Sequence, residues 1–186
     1  MQQVLAPLGH TVVAQSDYGV PEAEETGLSF VENAIIKARN AARHTGLPAI
    51  ADDSGLEVDA LGGAPGIHSA RYAGATEKSD SANNARLLAE LAARHVRDAA
   101  ARFQCVLVFM RHADDPVPLI AQAAWEGRIV DAPRGNGGFG YDPLFFLPGE
   151  NCTSAELPPE RKNALSHRGQ ALRQLSLLLR AQTPGA

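Results

Sequence analysis

A pair of adjacent carboxylates marks the stretch of the sequence best suited to chemistry. Residues 49–56, AIADDSGL, combine an apolar run with Asp52, Asp53, a hydroxyl and a glycine. An uninterrupted apolar run is typical of a strand covered on both faces, and ligands of open α/β sheets collect where such strands end. Side chains alternate along a strand, so only one of the two aspartates can face a given site. We therefore predict a short buried strand that ends in a carboxylate site.

A second group of carboxylates lies upstream, in a segment without a helical pattern. Residues 16–28 contain Glu22, Glu24 and Glu25. This composition is compatible with a solvated acidic loop and equally with a metal-binding loop. Hard carboxylate oxygens select Mg²⁺ or Mn²⁺, and no cluster of cysteines and histidines in the sequence favours zinc.

A glycine-rich segment offers a different kind of site. Residues 134–143, RGNGGFGYDP, contain four glycines, Phe139, Tyr141 and Asp142. Glycines permit positive φ angles and a close approach of the backbone to a ligand, and the two aromatic rings offer flat faces for a base. A flexible loop is the alternative, but the aromatic residues and the aspartate favour a binding loop.

Cations gather near the C-terminus at Lys162, His167 and Arg168. Ser166 is placed to cap an amphipathic helix, which puts His167 and Arg168 in its first turn. Cations there oppose the helix dipole at a cost of about 0.3–1 kcal/mol. A local rule is most often broken where function requires it. Carboxylates that suit Mg²⁺, these cations and the base-stacking aromatics together suggest a nucleotide and attack by water on a phosphorus atom.

The helix before the carboxylate strand is the best specified element of the sequence. Ser29 and Glu32 fit a capping box, and Gly46 can adopt the left-handed conformation that ends a helix. Apolar residues recur between them at helical spacing: Val31, Ile35, Ala38 and Ala42. Cations that complement the helix dipole occupy its second half: Lys37, Arg39, Arg43 and His44.

Weaker patterns predict the remaining elements. They are a helix over 1–8, a strand over 10–15, a helix over 80–97 capped by Asp80 or Ser81, and a hairpin of strands over 103–110 and 119–129. A sheet that combines a hairpin with helix-linked strands is mixed, so we predict an α/β fold with a mixed sheet.

Composition limits the class of protein. The chain has 186 residues, 45% hydrophobic and 20% charged, which describes an ordinary globular domain rather than a disordered or membrane protein. Its formal net charge of −4 argues against general nucleic-acid binding. Two cysteines outside any metal-type pair favour a reduced, cytoplasmic protein.

The order and spacing of several motifs resemble the inosine triphosphate pyrophosphatase family, also called the Ham1 or RdgB family. The matching segments run in family order: ETG at 25–27, SFVENA at 29–34, ADDSGL at 51–56, PG at 65–66, SARY at 69–72, GFGYDP at 138–143 and SHRG at 166–169. The resemblance implies a single two-lobed α/β domain over residues 1–186, with a long mixed central sheet flanked by helices, that forms a homodimer. It also implies Mg²⁺-dependent cleavage of ITP, dITP or XTP to the monophosphate and pyrophosphate.

The resemblance also implies roles for individual residues. Asp53 matches the family's catalytic acid and metal ligand, and Glu25 matches its upstream metal carboxylate. Substrate contacts match at Ser54, Phe139, Gly140, Tyr141, Asp142, Lys162, His167 and Arg168. Of these, His167 and Arg168 match the contacts that recognise the base. Asp52, facing the other way, is expected to support the site.

One departure from the family leaves a second function open. Family members begin with a strand and a Thr/Ser-x-Asn-x-x-Lys loop that holds the triphosphate, and Met1 to Leu8 match the helix that follows that loop. We therefore expect the chain to lack both, and the alternative function is a catalytically impaired nucleotide-binding protein. The related Maf-type nucleotide pyrophosphatases share the reaction class but should lack the Ser166-His167-Arg168 motif.

Overall fold

The computed structural model describes residues 1–74 and 79–182. The chain folds into two compact units. The first contains Met1–Asp53, Cys105–Ala123 and Arg168–Ala186, and the second contains Ser54–Gln104 and Ala124–His167.

Four of the five strands follow one another along the described chain, and the helices come before, between and after the strands. The α-helices are α1 (Gln2–Leu5), α2 (Phe30–Thr45), α3 (Asp80–Ala93), α4 (Pro159–Leu165) and α5 (His167–Gln182). The strands are β1 (Ala49–Val58), β2 (Ala99–Met110), β3 (Leu119–Ile129), β4 (Phe145–Leu147) and β5 (Cys152–Thr153), and they form a sheet in the order β1-β2-β3-β4-β5. Among the residues described, no helix combines the length and the apolar character needed to cross a lipid bilayer.

Helix α2 of the first unit follows the predicted pattern closely. Ser29 Oγ accepts a hydrogen bond from Glu32 N–H at 3.4 Å and donates one to Glu32 Oε2 at 2.7 Å. Gly46 ends the helix with a φ of 69°. The small buried face of the helix, Ala34 and Ala38, packs against Val106, Val108 and Met110 of β2. The predicted helix and both of its ends are confirmed.

The second unit has a core of large rings. Phe103 of β2 lies 4.4 Å from Phe145 of β4 between ring centroids, and Trp125 of β3 lies 5.5 Å from the same ring. Gly127 makes room for this packing, because a Cβ atom there would stand 2.5 Å from Phe145 Cζ. Leu87 and Leu91 attach α3 to this core.

The α/β fold with a sheet flanked by helices is confirmed, and the described strand pairs are antiparallel. The β3–β4 and β4–β5 pairs are antiparallel by register. Between β1 and β2, the side chain of Gln104 donates a hydrogen bond to Glu57, and that of Arg102 donates to Asp59. Residue numbers therefore rise along one strand as they fall along the other, so this pair is also antiparallel. The mixed pairing expected from the sequence is therefore not found among the described strands. The helix-containing link from β1 to β2 brings the chain back in the opposite direction.

The structure also corrects three local predictions. Strand β1 does not stop at the carboxylates: it continues to Val58, and Asp52 and Asp53 lie in its middle. Residues 10–14 form no strand, since Val12 N–H instead donates to Gln2 Oε1 at 2.6 Å. Helix α3 is capped by Ser79, whose Oγ accepts from Ala82 N–H at 3.2 Å, because Ser79 is the last extended residue.

Candidate active site

An ion pair between a buried carboxylate and a half-buried ammonium group lies among the first unit's functional groups. Asp53 of β1 is 8% exposed, and its Oδ1 accepts a hydrogen bond from Lys37 Nζ at 2.7 Å. Lys37 Nζ also lies 3.3 Å from Glu25 Oε1. The two carboxylates predicted to share a metal are thus brought together, and the ammonium group of Lys37 bridges them.

The loop that carries Glu25 is fixed to α2 rather than freely solvated. Asn33, which is 1% exposed, accepts a hydrogen bond from Gly27 N–H at 2.8 Å. Asn40, two turns further along the helix, donates to the carbonyl of Pro21 at 2.8 Å. Glu25 lies between these anchors, so the acidic loop has a defined position next to Lys37.

The donor atoms suit a divalent cation of the Mg²⁺ type. Within the described residues, Asp53 Oδ2 is buried and has no hydrogen-bond partner, which is an uncommon state for a carboxylate oxygen. The described residues also contain no group of three or more Asp, Glu, His or Cys side chains that could hold a metal by themselves. Two carboxylates completed by substrate phosphates are the usual arrangement for Mg²⁺, whereas a closed zinc site needs about four protein ligands.

Burial controls the protonation of Asp53. Burial raises the pKa of this carboxyl above its ordinary value, and the neighbouring Lys37 cation, which lowers the pKa, does not cancel that effect. For Lys37, burial lowers the pKa, but the hydrogen bond and charge of Asp53 and the charge of Glu25 outweigh it and leave the pKa raised. Lys37 therefore stays a cation, while Asp53 is more basic than an exposed aspartate.

Asp52 and Arg168 form a separate pair in the same unit. Arg168 donates to Asp52 Oδ2 from Nε at 2.8 Å and from Nη2 at 2.7 Å. Asp52 and Asp53 thus have different partners, Arg168 and Lys37, as the alternation of side chains along a strand requires. Arg168, which is predicted to contact the base, lies at the start of α5 and is held there by the carboxylate of Asp52.

The glycine-rich loop of the second unit is organised around Asp142, which is buried. Its Oδ2 accepts from Phe139 N–H at 2.8 Å and from the ammonium of Lys162, and its Oδ1 accepts from Ser154 Oγ at 2.6 Å. Gly140 is bonded to α3 through both of its peptide groups. The loop is therefore anchored at successive positions, which favours an ordered binding loop over the flexible-loop alternative.

Only one of the two aromatic rings in this loop is presented to solvent. Phe139 is 64% exposed, and Lys162 Nζ lies 5.1 Å from its ring centroid. Tyr141 is 4% exposed, its ring belongs to the core, and its hydroxyl donates to the carbonyl of Ser69 at 2.8 Å. The prediction that Tyr141 also offers a flat face is corrected, because core side chains cover that ring.

The two remaining predicted site residues of the second unit, Ser54 and His167, are the first and last residues of that unit in the sequence. Ser54 follows Asp53 on β1 and is half-buried. His167 is buried at the start of α5, and its ring stacks on Phe103 at 4.9 Å between centroids with 17° between the planes. Stacking on a core ring fixes the orientation of the imidazole.

Three contributors were missing from the predicted site. Lys37 was assigned to the helix dipole, although Asn33 and Lys37 stand four residues apart on one face beside the buried alanines, a polar pair that could have drawn attention. Ser154 carries no sequence signal of its own, because its partner Asp142 is brought near only by the fold.

The fold belongs to the α/β class, and a buried carboxylate beside an ammonium group is a combination suited to a hydrolase. Comparison with known proteins specifies it further. The family model of the Ham1 family matches residues 1–177, and the chain belongs to that family.

Relatives and solved structures agree with this assignment. A dITP/XTP pyrophosphatase of Thioalkalivibrio sulfidiphilus is 61% identical over 94% of this chain and 89% of its own length. The dITP/XTP pyrophosphatase of Vibrio cholerae is also 61% identical, over 94% of this chain and 87% of its own. The solved structure of a HAM1 protein from Coxiella burnetii superposes with a TM-score of 0.92 at 50% identity, covering 97% of this chain and 91% of that one.

The packing of Gly138 generates a prediction about the glycine-rich loop. We expect Gly138→Ala to lower the free energy of unfolding by about 2 kcal/mol, because the residue has a φ of 76° and a Cβ atom would collide with Asp142 Oδ2 and Lys162 Nζ. Gly149→Ala is the matched control, since that position has open space and no positive φ. Urea unfolding measures both, and equal stability of the two variants would contradict the described packing.

The raised pKa of Asp53 predicts a pH dependence of stability. Between the ordinary value of 3.8 and the raised native pKa, the folded protein binds more protons at Asp53 than the unfolded chain does. The free energy of unfolding of the wild type, relative to Asp53→Asn, should therefore decrease as pH rises through that window. The measurement is urea unfolding with a chelator at a series of pH values. A difference that stays constant, or that grows with pH, would show that burial does not dominate at Asp53.

Proposed function

We propose that this protein hydrolyses the triphosphates of deaminated purines, namely dITP, ITP and XTP, to the monophosphate and pyrophosphate, and so removes them from the nucleotide pool. Family membership and the names of the 61% identical relatives support this activity. The observation that carries the proposal is the buried carboxylate of Asp53, which keeps one unpartnered oxygen among the described residues while Lys37 holds the other.

In this proposal the first unit acts on the phosphates. Asp53 and Glu25 would hold the divalent cation, Mg²⁺ or Mn²⁺. When bound, such a cation offsets the negative charge of the triphosphate. Lys37 already contacts both carboxylates, so it can keep them oriented and can donate to a phosphate oxygen. Positive groups aimed at the phosphates stabilise the charge that develops in phosphoryl transfer.

Asp53 is the proposed proton acceptor for the attacking water. The water oxygen forms a bond to the α-phosphorus, the bond from that phosphorus to the α,β-bridging oxygen breaks, and pyrophosphate leaves. The proton of the water passes to the carboxylate. General-base catalysis of this kind contributes about 10²–10⁴ to a rate.

Residues of the second unit are proposed to contact the nucleoside. The exposed face of Phe139 can stack on the base, and Lys162 stands beside that face. Backbone groups of Gly140 and Tyr141 and the side chains of Ser54 and Asp142 are further proposed contacts. Asp142 fixes the positions of both Phe139 and Lys162 within the second unit.

Specificity is assigned to hydrogen-bond donors. His167 and Arg168 can donate to the 6-oxo group of hypoxanthine or xanthine, whereas adenine carries an amino group at that position and would leave buried donors unpaired. Mismatches of this kind discriminate by about 10⁴ or more. We also propose that the protein is cytoplasmic and acts as a homodimer, in line with the family resemblance and with cysteines that form no disulfide in the described chain.

The activity itself is the first test. We expect Mg²⁺-dependent release of pyrophosphate from dITP, ITP and XTP, at least about 10³-fold faster in kcat/KM than from ATP. Asp53→Asn should lower kcat by about 10³, because the amide cannot accept the proton of water. Asp114→Asn, at an exposed turn, is the matched control and should keep full activity. Binding of ITP without turnover would contradict the proposal, and full activity of Asp53→Asn would remove its assigned role.

The metal assignment predicts a difference between two adjacent glutamates. Glu25→Gln should raise the Mg²⁺ concentration for half-maximal rate by about tenfold or more, since one of two ligand carboxylates is lost. Glu24→Gln makes the same charge change at the adjacent residue, which is also exposed, and should leave the Mg²⁺ dependence unchanged. Titration of the initial rate with Mg²⁺ and with Mn²⁺ measures both. Equal shifts in the two variants would show that general charge, not ligation by Glu25, determines cation affinity.

A further inference from the structure

The backbone of the glycine-rich loop is held from outside the loop by two side chains of α3. Gly140 N–H donates to Asp80 Oδ2 at 2.6 Å, and Asn84 Nδ2 donates to the Gly140 carbonyl at 2.9 Å. Asp80 and Asn84 are four residues apart, so they stand on the same face of the helix. One face of α3 therefore holds both the N–H and the carbonyl of Gly140.

Helix α3 is itself firmly fixed within the second unit. Asn83, which is buried, donates to the carbonyl of Ala70 at 3.1 Å and accepts from Ala73 N–H at 2.9 Å. Leu87 and Leu91 anchor the following turns in the aromatic core. Asp80 and Asn84 thus present their polar groups from a rigid support rather than from a mobile one.

Phe139, whose ring is exposed, directly precedes Gly140, the residue that α3 holds. The backbone before Gly140 is bonded to Asp142 through Phe139 N–H, and the residue after it, Tyr141, is bonded through its hydroxyl to Ser69. Three successive residues are therefore tied down, while the Phe139 ring remains 64% exposed. An exposed aromatic ring on an immobilised backbone is the arrangement that a preformed stacking surface needs.

We propose that Asp80 and Asn84 are positioning residues for nucleoside binding: they hold Gly140 so that the ring of Phe139 is preoriented toward a purine base. This inference rests on the proposed function for the identity of the ligand. The two side chains act through the loop and do not touch the substrate. Their loss should weaken binding of the nucleoside part and leave the phosphate chemistry of Asp53 unaffected.

Steady-state kinetics with dITP test this role. For Asp80→Ala and Asn84→Ala we expect KM to rise about tenfold with kcat within about twofold of wild type, the size of effect that follows from loss of one hydrogen bond. The inhibition constant of dIMP should rise in parallel, and that of inorganic pyrophosphate should not change. A fall in kcat alone, or equal rises for dIMP and pyrophosphate, would overturn the proposal.

Near-isosteric variants separate positioning from simple destabilisation. Asp80→Asn keeps an acceptor for Gly140 N–H and should restore a KM close to that of wild type. Asn84→Asp keeps the size of the side chain but removes the donor to the Gly140 carbonyl, so it should resemble Asn84→Ala. Glu90→Gln, on the same helix but paired with Arg86 and Arg94, is the control and should leave KM unchanged. The reverse order, with Asn84→Asp like wild type and Asp80→Asn impaired, would overturn the proposal.

Hydrogen exchange distinguishes failure of this inference from failure of the proposed function. If the wild type turned over none of the three nucleotides, the proposed function would fail, but the Gly140 amide would still exchange faster in Asp80→Ala than in wild type. Unchanged exchange of that amide in Asp80→Ala would overturn the positioning role whether or not the enzyme is active.

Discussion

Burial of the Asp53 carboxylate beside the Lys37 ammonium is the constraint on which the first unit depends. Removing a carboxylate from water costs several kcal/mol unless it is paired, and removing one partner of a buried pair is more damaging than never having had the pair. Lys37 meets this requirement for one oxygen of Asp53 and leaves the other without a partner among the described residues. A fold selected for stability alone would have little reason to keep such an atom, whereas the proposed cation binding and water activation both require it.

Helix α2 makes this arrangement possible because its buried face carries small residues and two polar ones. Ala34 and Ala38 let the helix lie close to β2, so that Lys37 reaches Asp53. One turn earlier, Asn33 fixes Gly27 and therefore the loop that bears Glu25. The second unit uses the same strategy at its glycine-rich loop, where the buried Asp142 gathers Phe139, Lys162 and Ser154. In each unit a buried polar side chain, rather than a regular element, sets the loop geometry.

Features encoded by neighbouring residues could be predicted from the sequence. The capping box at Ser29 and the end of α2 at Gly46 depend on contacts within a few positions, and the structure confirms both. It also confirms the strand from Leu119 to Ile129, which the local residue pattern predicted. The continuation of β1 past Asp53 could not be predicted, because its partner strand lies about 50 residues further along the chain and the residues after Asp53, Ser54 and Gly55, are typical of turns. The antiparallel pairing of β1 with β2 depends on the same distant partner.

The residues of the candidate site also divide into those that sequence motifs predict and those that only the folded structure brings together. The family resemblance supplied Asp53, Glu25 and the glycine-rich loop, since these are written in motifs. It did not supply the bridging ammonium of Lys37, the covering of Tyr141 by the core or the hold of α3 on Gly140, each of which depends on residues brought together only by folding. Burial also decides that the pKa of Asp53 is raised despite its cation partner, and no sequence pattern reports burial of a single atom.

The position at which water attacks tests the account most directly. Hydrolysis of dITP by the wild type in ¹⁸O-enriched water, followed by ³¹P NMR of the products, locates the new oxygen. A water activated at Asp53 for attack on the α-phosphorus places the label in dIMP and releases unlabelled pyrophosphate. Label in pyrophosphate, or release of orthophosphate, would contradict the account, because the bond broken would then not be the one between the α-phosphorus and its bridging oxygen.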